Sequence, residues 1–123
     1  MQITGAYESG ADVLAGASGG GITVTWTPAT GTLSLSGSAS LAAYQNALRG
    51  VTFDNPGDNP SAATRTISIT LSDGAAPSPT LTRTVTISVS NDAPTITAGA
   101  IANYTENASP VAIDTTVVVG DVD

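Results

Sequence analysis

Arg65-Thr66-Ile67-Ser68-Ile69-Thr70-Leu71-Ser72 decides the fold class. Ile67, Ile69 and Leu71 alternate with Thr66, Ser68 and Thr70, the two-residue period of a strand with one face in a core. Downstream, Arg83–Ser90 repeats the pattern with Val85, Ile87 and Val89. Asp73-Gly74 and a loop holding Pro77 and Pro79 join the two segments as a hairpin. Upstream, Ile22-Thr23-Val24-Thr25-Trp26 and Thr32–Ser36 alternate in the same way around the turn Pro28-Ala29-Thr30-Gly31. Trp26, at strand spacing, belongs in the core. Regular one-sided alternation is what two packed antiparallel sheets require.

One segment breaks the period. Leu41-Ala42-Ala43-Tyr44-Gln45-Asn46-Ala47-Leu48-Arg49 reads as a helix capped by Ser40, with Leu41, Tyr44 and Leu48 on one face. Arg49 suits the negative C-terminal end, and Gly50 suits a left-handed stop. At about two and a half turns it is too short to stand alone, so it is expected to cross between sheets. Val51-Thr52-Phe53 then resumes as strand, and Asp54–Pro60 is a turn-rich surface loop.

Composition points the same way. The 123 residues suffice for one core, but aromatics are only 4%, so Val, Ile, Leu and Ala must build it. Ten acidic residues stand against three basic ones, Arg49, Arg65 and Arg83, giving a net charge of -7. Nucleic acid and anionic membranes recruit proteins through basic patches, so neither is an expected partner. No apolar run approaches the roughly 20 residues of a membrane-spanning helix. The sequence opens directly on strand-like residues, so any export signal is expected elsewhere on a larger protein. Absence of Cys removes disulfides and thiolate metal sites, which an exported bacterial domain of this size can do without.

Asn91-Asp92-Ala93-Pro94 follows the last alternating strand and reads as a boundary. Residues 1–90 then form the main part of one sandwich, 91–94 a linker, and 95–123 the first strands of a further unit. Alternatively, 95–123 is a permuted or donated strand that completes a sandwich.

The run Tyr44-Gln45-Asn46-Ala47-Leu48-Arg49-Gly50-Val51-Thr52-Phe53 is distinctive. So are Asp58-Asn59-Pro60, Thr64-Arg65-Thr66-Ile67, Ser72-Asp73-Gly74 and the Asn91-Asp92-Ala93-Pro94 linker. Together they resemble the cadherin-like tandem repeats of giant bacterial surface proteins and RTX-type adhesins. The resemblance covers nearly the whole chain and implies an Ig/cadherin-like antiparallel β-sandwich with a short crossover helix at about 40–49. It also implies a shifted register. In that family, elements like Tyr104–Asn107 and Asp121–Asp123 sit near the start of a repeat, and residues like Ile3–Leu14 follow them. The chain thus reads as the back of one repeat followed by the front of the next.

Cadherin-type repeats bind calcium at their junctions, and the resemblance carries that expectation here. Ca²⁺ takes six to eight oxygen ligands, several of them carboxylates. Asn91, Asp92, Glu106, Asp121 and Asp123 are the candidate ligands, with Asp12 and Asp73 second to them. Without an ion, close carboxylates repel by about 4 kcal/mol per pair at an effective dielectric near 20. Asp54, Asp58 and Asp114 read as ordinary solvated loop acids, and Asp73-Gly74 is also sufficient as turn chemistry.

Catalysis finds little support, because His, Cys and Lys are all absent. Gly19-Gly20-Gly21 lacks the lysine or acid that would make a phosphate cradle. The expected function is a non-enzymatic, secreted or cell-surface repeat that spaces a long protein or fibre, with calcium limiting bending. Its partners would be neighbouring repeats, reached by strand addition in one variant. The alternative is an adhesin-type module binding carbohydrate or cells, for which only the 54–63 and 75–80 loops offer a surface.

Overall fold

In a computed structural model, which describes residues 1–99 and 101–123, the alternating segments pair as antiparallel strands. The chain divides into two units, Met1–Val89 and Ser90–Asp123. The first holds β1 (Gln2–Gly5), β2 (Val13–Ala15), β3 (Thr23–Thr27), β4 (Thr32–Ser36), α1 (Leu41–Arg49), β5 (Thr52–Asp54), β6 (Arg65–Ile69) and β7 (Leu81–Val85). The second holds β8 (Thr95–Thr97) and β9 (Val118–Gly120). Every strand pair is antiparallel, and α1 is the one helix among the described residues. The fold is all-β and sandwich-like.

In the first unit a five-stranded sheet runs in the order β3-β4-β1-β6-β7, and β2 pairs with β5 in a second sheet. Ile3, Leu14, Leu33 and Ile67 form the buried core, so residues from both sheets meet there. α1 leaves β4 in the large sheet and delivers the chain to β5 in the small one, as its length and position predicted. The β3–β4 hairpin keeps the anticipated register, with Val24 opposite Leu35 and Trp26 opposite Leu33. Gly31 closes its turn at φ 62, a conformation that costs a residue with a Cβ. The ring of Tyr7 packs over Gly31 and meets Trp26 edge-on at 6.4 Å between centroids. Trp26 is accordingly half-buried against the core.

Four local expectations change. β7 is Leu81–Val85, not Arg83–Ser90, because Arg65 opposite Val85 begins β6 and, among the described residues, no partner strand continues beyond it. The carbonyls of Ser61 and Ala63, upstream of Arg65, accept hydrogen bonds from its guanidinium instead of from a strand. β6 ends at Ile69; Leu71 is exposed, and Ser72 makes only an isolated bridge to Pro77. In α1 the Ser40 hydroxyl accepts from the Ala43 N–H at 3.2 Å, as a cap should. Yet Leu41 is 83% exposed, and the inward side is Ala43, Tyr44, Ala47 and Leu48. Gly50 stops the helix at φ -86, in right-handed geometry, its N–H bonded to the Asn46 and Ala47 carbonyls.

In the second unit β8 and β9 pair Thr95 with Gly120, Ile96 with Val119 and Thr97 with Val118. A two-stranded ribbon has no second layer to bury a face, and all six residues are exposed.

Candidate functional site

Two polar constellations stand out, one in each unit. The first is built around Arg65, the opening residue of β6. Odd-numbered positions of β6 face the core, so Arg65 shares the side of Ile67 and Ile69 and is 0% exposed. Its Nε donates to Asp12 Oδ2 at 2.7 Å and its Nη2 to Glu8 Oε2 at 2.7 Å. Nη1 donates to the Ala63 carbonyl at 2.6 Å and to the Ser61 carbonyl at 3.1 Å. Asp12 is itself 1% exposed.

The acids are positioned by their own loop. Asp12 N–H donates to the Glu8 carbonyl, while Glu8 N–H donates to Asp12 Oδ2 at 2.8 Å, closing a tight loop between β1 and β2. Asn55, after β5, donates to Asp12 Oδ1 at 2.8 Å and to Glu8 Oε2 at 3.2 Å. Among the described residues no buried side-chain polar atom lacks a partner. One guanidinium thus ties the 8–12 and 55–63 loops to the start of β6. Its donors are aimed at protein acceptors, and the arrangement is a structural pin.

Burial of Asp12 pushes its carboxyl up. The Arg65 hydrogen bond, the Glu8 N–H, Asn55 and the Arg65 charge together outweigh burial and hold it below the ordinary carboxylate range. A carboxyl depressed in the folded state stabilises it above the unfolded pKa and loses that contribution as pH falls through the folded value. The first unit should therefore keep its stability from neutral pH down to about pH 4 and lose it progressively below. Thermal melts across that range test this, and Asp12→Asn should flatten the acid limb of the curve.

The second constellation lies where β8 and β9 begin and end. Extending their register beyond Thr95 and Gly120 sets Asp92 opposite Asp123, and the Asp92 N–H donates to Asp123 Oδ2 at 3.0 Å. Asn91 donates through its side chain to the Asp92 carbonyl, and Asp121 Oδ1 accepts from the Val122 N–H at 3.0 Å. The pairing therefore brings Asp92 and Asp123 together from the two ends of the unit, with Asn91 and Asp121 near them only along the chain, and all four are exposed. Glu106 stands on an exposed turn closed by the Ala108 N–H to the Thr105 carbonyl, with Asn107 at φ 62. Among the described residues, no three acidic side chains converge as a metal-binding group.

The remaining acids divide by role. Asp73 Oδ1 accepts from the Ala75 and Ala76 N–H groups at 2.9 and 3.1 Å, which is turn chemistry, and these bonds hold its carboxyl low. Asp12, second-rank as a calcium ligand, is the buried partner of Arg65. Asp114 is no idle loop acid. It accepts from the Gly99 N–H, and from the Thr116 N–H and hydroxyl at 2.7 Å each, so it organises its loop. The Gly99 bond first, then those of Thr116, hold its carboxyl below the usual range.

Nothing in the local sequence joins Arg65, Glu8 and Asn55 into a polar centre. The one local signal was phase, since Arg65 falls on the apolar side of its own strand.

Comparison of the chain with protein-family models, with curated proteins and with solved structures finds no match. Among the described residues, no helix is long and apolar enough to cross a membrane.

Proposed function

We propose that the chain is a non-enzymatic structural repeat of a long, secreted bacterial surface protein, a spacer whose joints are stiffened by calcium. The observation that carries this reading is the β8–β9 register. In its support, the Asp92 N–H reaches the carboxylate of Asp123, about thirty positions away in sequence, and Asn91 and Asp121 lie close to these two along the chain. The oxygen donors these residues offer are carboxylates and an amide, the ligand chemistry of a hard cation and of no thiophilic metal. Asp92 and Asp123 would begin the site, and Asp121, Asn91 and Glu106 would have to close on the ion as further oxygen donors, because no three acidic side chains converge among the described residues. Calcium would supply the positive charge that lets the carboxylates lie close without repulsion. Neighbouring repeats are the partners that such a joint implies.

Extracellular modules bind calcium at about 10⁻⁴–10⁻³ M, so about 10 mM calcium should stabilise the ribbon unit by roughly 1.4–2.7 kcal/mol. Thermal melts of the full chain should rise by several degrees in calcium and fall back with chelator. Asp92→Asn with Asp123→Asn should abolish the rise. A calcium-indifferent melt of the parent chain would remove the ion from this reading.

A further inference from the structure

The five-stranded sheet is faced by a sheet of only two short strands. β2 lies against β3 and β4, at the end of the large sheet away from β7. The core-facing side of β6 and β7 is consequently only part-covered. Ile67 is opposite Arg83 and Ile69 opposite Leu81, so Leu81, Arg83 and Val85 all project to the side that buries Ile67. Leu81 is nonetheless 49% exposed and Arg83 is exposed as well. Between this half of the sheet and β5 runs an apolar groove of about 260 Å³, lined by Val51, Phe53, Ile69 and Val85 with Arg83 among them.

The ribbon presents the opposite surface. Ile96 and Val119 are cross-strand partners on one face, and Val117 continues the phase of Val119. These three are 72%, 67% and 48% exposed. The ribbon unit also carries Asp92, Glu106, Asp114, Asp121 and Asp123 and no basic residue, since all three arginines precede it. The groove therefore offers apolar walls and a cation, and the ribbon an apolar face in an acidic surround.

We propose that the Ile96/Val117/Val119 face of the β8–β9 ribbon of a second copy docks in the β5–β6–β7 groove, adding the missing strands of the second sheet. This rests on reading the chain as a repeat, and it names the surface by which copies join. Groove and ribbon are different patches, so the contact is heterologous: each docked copy leaves one groove and one ribbon free, and the assembly grows as a fibre. Arg83, a charge on the core-facing side of an edge strand, disfavours indiscriminate pairing there while selecting an acidic partner.

Sedimentation velocity of the full chain, from micromolar to millimolar, should show species that lengthen with concentration. Val119→Asp and Leu81→Asp alter exposed side chains and should each give folded monomer, checked by circular dichroism. Mixed together, they should form a one-to-one dimer and nothing longer, because the first keeps its groove and the second its ribbon. A parent chain that stays monomeric throughout, as it would if its own ribbon filled the groove, overturns the proposal. So do variants that associate like the parent, or a mixture that stays monomeric. The calcium melt is scored independently: association without a calcium response sinks only the ion, and a calcium response without association sinks only the docking.

Discussion

Arg65→Met is expected to lower the stability of the first unit by about 3–5 kcal/mol, because it leaves Asp12 buried without its cation. The methionine retains the apolar stem, so lost packing is minor. The cost comes from Asp12, at 1% exposure, and from the Ser61 and Ala63 carbonyls, which lose their donor. Against the roughly 5–15 kcal/mol that holds a domain folded, this is a large share. For a unit of this size it corresponds to a fall in Tm of more than about 10 °C, or to loss of the cooperative transition. Chemical denaturation monitored by circular dichroism reads it directly. Replacing both partners, Arg65→Met with Asp12→Leu, should recover only the part due to the stranded Asp12 charge, since the Ser61 and Ala63 carbonyls stay without their donor and the Glu8 N–H and Asn55 lose their acceptor. A single variant as stable as the parent would show that the guanidinium is not the pin described above.

Leu33→Ala should cost about 2–5 kcal/mol. Leu33 is 1% exposed, lies on β4 opposite Trp26, and packs with Ile3, Leu14 and Ile67. Its backbone also exchanges hydrogen bonds with Met1 in both directions, at 2.9 Å each, so the surrounding frame has little freedom to collapse into the space. Leu33→Met, which nearly conserves volume, should lose less than about 1.5 kcal/mol. A Leu33→Ala variant losing under about 1 kcal/mol would mean that the site relaxes, and that the core is looser than its burial implies.

Both positions show what a sequence makes visible. Leu33 is legible because alternation with Thr32, Ser34 and Ser36 marks its side, and the Pro28–Gly31 turn sets its register. The helix is legible for a similar reason, as Ser40 and Gly50 bracket it with local chemistry. β7 is not, because Val85, Ile87 and Val89 alternate more cleanly than Leu81 and Arg83, whereas strand extent depends on where the partner begins. That partner begins at Arg65, whose role depends on Glu8 and Asp12, more than fifty residues earlier. An arginine at the start of a strand is ordinarily solvated, and only tertiary closure makes it a core residue. In the ribbon unit, Asn91, Asp92, Asp121 and Asp123 could be named individually. The meeting of Asp92 with Asp123 depends on the pairing of Ile96 with Val119, which no local signal specifies.

The order β4-β1-β6-β7 also fixes how the first unit bears load. β1 is antiparallel to β6, and β6 to β7, so β1 and β7 run in the same direction. The chain therefore enters β1 at one end of the sheet and leaves β7 at the other. Tension applied through these two ends acts along the strands, at right angles to their ladder bonds. The bonds are then sheared together instead of being unzipped one after another, and β1, flanked on both sides, has two rows to break before it can slide.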